Sequence, residues 1–373
     1  MEDGELVAWT SGFDPSPESL PPAAIRPERT NVEDFHLDDL DIPDRMDGSG
    51  PLVSVIIPTF GDAVYLRDAL ESVGAQTHSN IEVVIVDSSN VPCIADLSRH
   101  LPWILHHPVP PRGVSHARNE GIEAASGEFV AFLDADDYWH PHKLERQLAA
   151  IGSDVDSSFC GYYFLNYWVD DGPEIRMRDV DRVDPRHTCD ALVRRTIDAH
   201  ISTLLARASA LRDRPFIEDF EHFEDVTFAI ELFQSGSAVH VPAALAVRRL
   251  RTGSLADRTD ERVKSEARID AYHYLAAKYP ELSASAWAGI AGEQYRLALT
   301  CLEHNDVPTA RTHLSEAFAC GERLRASVVL AATYLGWDGV TILRVLDRTA
   351  GLYRTLRGAS TPHPIGRFTP TEQ

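Results

Sequence analysis

Between Leu52 and about residue 150, short β-branched apolar runs alternate with segments of helical periodicity, which predicts β-α-β units and a largely parallel sheet. Residues 53–57 and 81–86 are near-continuous apolar runs of strand length, as expected for strands covered on both faces. Between them Tyr65-Leu66, Ala69-Leu70 and Val73 recur at helical spacing. Residues 103–106 give a weaker third strand, 114–125 a helix closed by Gly127, and 129–133 a fourth strand. A helix is predicted over 140–150, with Pro141 in its first turn, where the missing N–H costs nothing.

Beyond residue 155 the texture is mixed: 159–169 is aromatic and strand-like, 223–233 an amphipathic helix, 238–250 a strand with a basic end. From about Asp257 the strand signals stop, and 258–356 reads as helices. Two of these, 293–303 and 308–319, are joined at Asn305-Asp306 and resemble one tetratricopeptide-type hairpin; a plain helical hairpin is the preferred reading, since a solenoid core needs at least about three repeats. The predicted organisation is an acidic disordered tail over 1–50, an α/β domain over 51–256 with halves 51–150 and 151–256, and a helical region over 257–373.

Composition narrows the partners. The 373 residues are 44% hydrophobic and 25% charged with a net charge of −22, which excludes a basic surface for nucleic acid. The first 50 residues hold 13 acidic against 3 basic side chains and six prolines, a composition that cannot bury enough apolar surface to fold. Lys143, Lys264 and Lys278 are the sole lysines. This acid-rich, lysine-poor balance fits adaptation to high salt and an ordinary acidic cytoplasmic protein equally. Five scattered cysteines without a CxxC spacing imply reduced thiols and no zinc site. Residues 1–50 lack a basic start followed by an apolar run, so the expected location is cytoplasmic, with peripheral docking on the inner membrane face left open.

The chemistry concentrates at Asp134-Ala135-Asp136-Asp137, placed at the carboxyl end of the apolar run 129–133. In an open α/β sheet that is where ligands bind. Side chains alternate in an extended chain, so Asp134 and Asp136 can face one side, and small Ala135 lets a ligand approach. Two convergent carboxylates with no base beside them in sequence call for a cation. Mg2+ or Mn2+, completing its shell with substrate phosphates, meets that demand.

Residues 52–150 then resemble the nucleotide-binding half of the family 2 glycosyltransferases with the GT-A fold. Five ordered blocks carry the resemblance: residues 53–60 (Val-Ser-Val-Ile-Ile-Pro-Thr-Phe), 69–73 with Gln76-Thr77, 81–87, 113–122, and 125–129 leading to Leu133 and the acids. The resemblance implies a GT-A nucleotide-diphospho-sugar transferase fold and an inverting transfer from a nucleotide sugar, UDP-sugar favoured, to a glycan or lipid-linked acceptor. By position, Pro58 and Thr59 end the first strand against the nucleotide, and Asp87 accepts from the base. Arg118 lies near base or diphosphate, Asp136 is the main metal ligand, and Asp134 contacts ribose or metal. The pair Glu224-Asp225 matches the acids that open a helix in the acceptor half, with Asp225 as base and Glu224 as acceptor-side or structural partner. Arg248, Arg249, Arg251 and Ser254 sit where the family carries a basic loop over the diphosphate, although the family's Tyr and His are replaced by Val247 and Leu250; Arg248 is the implied phosphate clamp, and a solvated basic face fits equally.

The sequence departs from the family at Gly61, where Asn is usual, and at Asp87-Ser88-Ser89-Asn90, where Asp-Asp-Gly-Ser is usual. These departures leave the sheet and the acid turn intact and fall where base and sugar specificity is set. Ser202-Thr203 resembles the segment behind the base, although a core position explains it as well, and Trp139 reads as an anchor for the helix that follows. Two other classes fit parts of the pattern: a non-catalytic nucleotide-sugar binder or helical scaffold, and an aspartyl-phosphate phosphohydrolase. The second is disfavoured because Tyr138-Trp139 follows the acids, which come after three strands rather than one.

Overall fold

The computed structural model describes residues 42–43, 48–60, 63–89, 92–166, 174–178, 184, 187–250 and 258–346. Most of the acidic segment 1–50 lies outside them, as do Gly61, Asn90, Arg251 and Ser254. Two compact units compose the chain, Met1–Gly289 and Ile290–Gln373.

The first unit is built on one nine-stranded sheet. Strands β1 (Val53–Thr59), β2 (Ile81–Asp87), β3 (Ile104–Pro108) and β4 (Phe129–Phe132) pair in parallel in the order β3-β2-β1-β4. The connecting helices α1 (Ala63–Gly74), α2 (Pro92–His100) and α3 (Val114–Ala124) explain why the strands are apolar at successive positions rather than at alternate ones. Val53, Val55 and Ile57 pack into one core with Leu66, Leu70 and Leu97 from α1 and α2. Ile56 and Val86, on the opposite face, lie against α3. There a Cβ on Gly121 would stand 2.4 Å from Ile56 Cγ2, so glycine permits the helix to approach this closely.

The expected helix over 140–150 starts later, as α4 (Lys143–Ile151). Its two leading residues are used elsewhere. His140 N–H donates to Leu245 O (2.9 Å), and Pro141 O accepts from Thr77 N–H (2.9 Å). Gln76 completes this junction. Its Nε2 donates to Ser72 O (3.0 Å) and His140 O (2.9 Å), and its Oε1 accepts from Leu144 N–H (3.2 Å). The Gln76-Thr77 block therefore clamps the end of α1 to the start of α4.

The rest of the unit extends the sheet with mixed pairing. Elements follow as β5 (Tyr138–Trp139), β6 (Ser157–Asn166), β7 (Glu174–Arg178), α5 (Thr188–Val193), a 3-10 turn (Ile201–Thr203), β8 (Leu205–Arg207) and α6 (Ala208–Leu211). Then come α7 (Glu224–Ser235), β9 (Ala238–Leu250) and α8 (Glu261–Lys278). The sheet runs on from β4 as β8-β6-β9-β5, with β7 on β6. β8 is antiparallel to β4, whereas β6 and β9 pair in parallel with register shifts around Gly161. The strand expected over 238–250 is β9, and that expected over 159–169 is β6 as far as Asn166, with 167–169 outside the described residues.

Helix α9 (Ser283–Glu303) spans the division between the units. In the second unit its end forms a hairpin with α10 (Val307–Cys320), turned by Asn305 in the left-handed region (φ 56°) and capped by Asp306, which accepts from Thr309 N–H (3.2 Å). With α11 (Arg323–Tyr334) these helices enclose Leu302, Leu314, Ala317, Val329 and Ile342. No helix among the described residues is long and apolar enough to cross a membrane. Cys160, Cys189 and Cys320 are free thiols.

Candidate active site

Parallel pairing brings the carboxyl ends of β1, β2 and β4 side by side. Thr59 is the register partner of Asp87, and Ile56 that of Phe132, two residues before Asp134. Asp87 is fully buried. Its Oδ1 accepts from Ser89 N–H (2.8 Å) and Ser89 Oγ–H (2.5 Å), and its Oδ2 lies 3.1 Å from His106 Nε2. Ser88 N–H donates to Thr59 O (3.0 Å), and the buried Thr59 Oγ1 has no hydrogen-bond partner. Pro58 is half-buried beside it.

The turn after β4 distributes its three acids by burial. Asp134 and Asp136 are half-buried, whereas Asp137 is 1% exposed. An ionised carboxylate so deep requires donors on its oxygens. Asp137 Oδ2 accepts from His200 Nε2–H (2.6 Å) and Ser202 Oγ–H (2.5 Å), and its Oδ1 accepts from Arg249 N–H (3.1 Å). Burial alone would raise the Asp137 carboxyl. The His200 charge and the hydrogen bonds from His200 and Ser202 outweigh it and hold the group below the ordinary range. His200 responds in the opposite sense: burial and Arg248 disfavour its charge, but Asp137 outweighs both and raises it.

Ser202 is the hub beneath this turn, since Asp134 N–H donates to its Oγ (3.1 Å) and Trp139 Nε1–H to its carbonyl (2.7 Å). Trp139 is fully buried, which makes it an anchor rather than a stacking surface for a sugar. Gln147 of α4 fixes the same 3-10 turn from below, donating to Thr203 O (2.8 Å) and Ser158 Oγ (3.1 Å).

Two side chains carry the acid turn across to α7. Arg118 of α3 is 3% exposed and donates through Nη2 to Asp134 Oδ1 (2.8 Å) and through Nη1 to Glu224 Oε1 (3.0 Å). Its guanidinium lies 5.3 Å above the Phe216 ring, in an aromatic cluster with Phe132 and Phe228. Burial disfavours its charge, and Asp134 and Glu224 outweigh burial, so it stays cationic. His200 makes the second link. Its buried Nδ1, without a hydrogen-bond partner, is 4.0 Å from Asp225 Oδ2, and its Nε2 is 4.0 Å from Asp134 Oδ2.

Glu224 and Asp225 open α7 directly after Phe223, whose φ of 69° is strained for an aromatic residue. Burial first, and then Asp225 beside it, push the Glu224 carboxyl upward against the pull of Arg118. Arg248, near the end of β9, has a part-exposed side chain. Its Nη1 is 3.6 Å from Asp198 Oδ2, and Asp198 Oδ2 also accepts from Tyr162 Oη–H (2.8 Å). Arg249 turns inward instead and pairs with Asp68 of α1 at 2.9 Å.

Asp134, Asp137 and His200 bring ligand-type atoms within 4.8 Å of one another, a grouping that could hold a metal ion. Asp137 is the weakest of the three for that role, because both its oxygens already accept hydrogen bonds in a nearly closed environment. Asp134 and Asp136 are partly exposed, and Asp136 is not in that grouping.

Of the residues singled out in the sequence, Arg118, Asp134, Glu224, Asp225 and Arg248 lie around this turn, and Asp136 lies on it. Pro58, Thr59 and Asp87 stand at the neighbouring strand ends. Sequence reasoning missed Asp137 as the buried node, His200 as its partner, and Asp198. The available signal was the third acid of the run: neighbouring side chains of an extended segment point to different sides, so Asp137 faces away from Asp136.

Residues 54–203 match the family model described as Glycosyl transferase family 2. An uncharacterized glycosyltransferase of Nostoc sp. is 46% identical over 99 residues, which is 25% of this chain and 31% of the relative. TuaG of Bacillus subtilis, provisionally named a teichuronic acid biosynthesis glycosyltransferase, is 37% identical over 126 residues, 31% of this chain and 47% of the relative. The alignments thus span between about a third and a half of these relatives. Among solved structures, the 1–349 fragment of S. aureus TarS in complex with UDP-GlcNAc superposes with a TM-score of 0.54 at 19% identity. That likeness covers 72% of this chain and 81% of the fragment, and it establishes a shared GT-A fold.

Proposed function

We propose, from the premise that residues 54–203 belong to glycosyltransferase family 2, that this chain is an inverting, metal-dependent transferase. It moves a sugar from a nucleotide-diphosphate donor, a UDP-sugar in the favoured reading, to a hydroxyl or phosphate acceptor. The single observation that carries the reading is the double tie of the acid turn to α7. Arg118 spans Asp134 and Glu224, and His200 stands between Asp137 and Asp225, so donor-side and acceptor-side carboxylates share one site.

The roles proposed are those that the family resemblance implies, and the placement of these residues supports them. Asp87 with Thr59 and Pro58 receives the base, a carboxylate being a suitable acceptor for the imide N–H of uracil. Asp134 and Asp136 hold Mn2+ or Mg2+, which supplies charge compensation to the diphosphate leaving group. Arg248 faces the same phosphates as a cation. Asp225 takes the acceptor proton as the new bond to the anomeric carbon forms on the face opposite the breaking bond to the diphosphate, and the nucleoside diphosphate departs. Glu224 and Arg118 hold Asp225's helix terminus in register with the metal turn.

The family and the relative named for teichuronic acid synthesis support an acceptor in a surface polysaccharide or a lipid-linked oligosaccharide. Such an acceptor places the enzyme against the inner face of a membrane. The test is a donor panel with mass detection of the transfer product, run at low and at molar salt. Product that requires a divalent cation and vanishes in Asp225→Asn supports the reading. Donor binding with no product from any acceptor mixture, unchanged by Asp225→Asn, would point instead to a non-catalytic nucleotide-sugar binder.

A further inference from the structure

Phe223, at the head of α7, breaks two rules of helix entry at once. A residue in the N-cap position ordinarily has an extended backbone and a short polar side chain that accepts from the first turn. Phe223 is instead left-handed (φ 69°, ψ 13°), aromatic, and makes no side-chain cap. The other non-glycine residues with positive φ among the described residues are Arg195 and Asn305, and neither is strained in this way. Asn305 turns a hairpin, a conformation that asparagine tolerates. Arg195 follows the last turn of α5, where a left-handed residue is an ordinary helix ending. A bulky residue at such a φ persists only where its surroundings hold it, and strain of this kind gathers at functional sites.

The surroundings that hold Phe223 come from the helices that follow. Its ring meets that of Tyr272 in α8 edge-on, with 5.3 Å between centroids and 64° between planes. Tyr272 is 1% exposed, and α9 approaches it at Gly289 so closely that a Cβ there would stand 2.6 Å from Tyr272 Cζ. The Phe223 carbonyl accepts from Thr227 N–H (3.1 Å) and Thr227 Oγ1–H (2.9 Å), which ties the left-handed residue into the first turn of α7. The next two residues are the acids of the candidate site. Glu224 Oε1 is 3.0 Å from Arg118 Nη1, and Asp225 Oδ2 is 4.0 Å from His200 Nδ1. The backbone twist at 223 therefore sets the direction in which both carboxylates leave the helix terminus.

We propose that Phe223, Tyr272 and Gly289 form a brace that positions Asp225. Gly289 lets α9 press on the Tyr272 ring, Tyr272 holds the Phe223 ring, and Phe223 keeps the left-handed turn that aims the acid. These are positioning residues, acting through α7. Their role rests on the reading of Asp225 as the base. It brings α8 and the first turns of α9, which lie beyond the matched residues 54–203, into the working of the site.

Hydrogen exchange and kinetics on the full chain test the brace. Phe223→Gly keeps the left-handed backbone without strain and removes the ring. Gly289→Ala favours helix in α9 and sets a methyl group against Tyr272. In both variants amide exchange over residues 224–227 should quicken at least about fivefold. The kcat for UDP release from a UDP-sugar should fall about tenfold, while Mn2+-dependent affinity for UDP keeps its wild-type value. Phe223→Tyr, which retains the ring, should match wild type in exchange and turnover. Wild-type exchange and turnover in Phe223→Gly would overturn the proposal, since the ring would then hold nothing. So would faster exchange with full turnover in Gly289→Ala, or a loss of turnover matched by a loss of UDP affinity. Asp225→Asn separates the two claims. Turnover that survives in it overturns the base assignment and the brace together, whereas its loss beside full turnover in Gly289→Ala overturns the brace alone.

Discussion

Lys143, at the start of α4, is fully buried, with Nζ 4.1 Å over the Trp139 ring and no hydrogen-bond partner. Burial pushes its ammonium down from the ordinary 10.5 to about 8, offset in part by the neighbouring Cys160. The folded state therefore binds this proton less tightly than the unfolded chain does. Its contribution is most favourable above pH 10.5 and is lost as pH falls through 8, which leaves a penalty of about 3 kcal/mol at neutral pH. Lys143→Met, which also forfeits about 1 kcal/mol of cation–π attraction, should raise the melting temperature at pH 7. The stability difference between wild type and variant should shrink between pH 8 and 10.5. A variant no more stable at pH 7, with the same pH slope as wild type, would contradict this account. Single residues differ in how far sequence discloses them. Asp134 and Asp136 were legible because an apolar strand precedes them. His200 was not, because a lone histidine carries no signal until the fold brings Asp137 to it from 63 residues away.

The turn 134–137 shows the same contrast as an element. Its position followed from the periodicity of β4, but the division of labour among its acids depends on what lies beneath. The 3-10 turn 201–203, fixed by Gln147 and Trp139, and His200 just before it give the Asp137 carboxylate two side-chain hydrogen bonds, from Ser202 and from His200. Asp137→Asn should therefore cost about 3–5 kcal/mol, because it leaves a buried imidazolium without its counter-ion. Asp136→Asn should change stability by less than about 1 kcal/mol while removing activity. Thermal melts set beside donor turnover separate the two, and equal loss of stability in both variants would show that the turn is not divided in this way. The parallel strands and their helices were readable because local periodicity encodes them. The parallel pairing of β6 with β9 and the late start of α4 were not, since both depend on contacts about 65 or more residues apart, such as Thr77 with Pro141 and Ser157 with Ala238.

For the whole molecule, a net charge of −22 makes self-repulsion a global term. Raising NaCl toward about 1 M should raise the melting temperature, since screening shortens the range of that repulsion to about 3 Å. A melting temperature that falls with salt would mean that specific ion pairs such as Arg118 with Asp134 dominate instead. The change to helices was visible as a loss of strand signals after Asp257, but the division between the units was not, since the first unit runs on through α8 to Gly289. The central claim is that a divalent cation on the Asp134-Asp136 turn holds the nucleotide diphosphate while Asp225 acts on the acceptor. Calorimetric titration of UDP tests it most directly, with and without Mn2+, on wild type, Asp136→Ala and Asp225→Asn. The account predicts Mn2+-dependent binding that is lost in Asp136→Ala and kept in Asp225→Asn. Equal binding without the metal, or binding undiminished in Asp136→Ala, would contradict it.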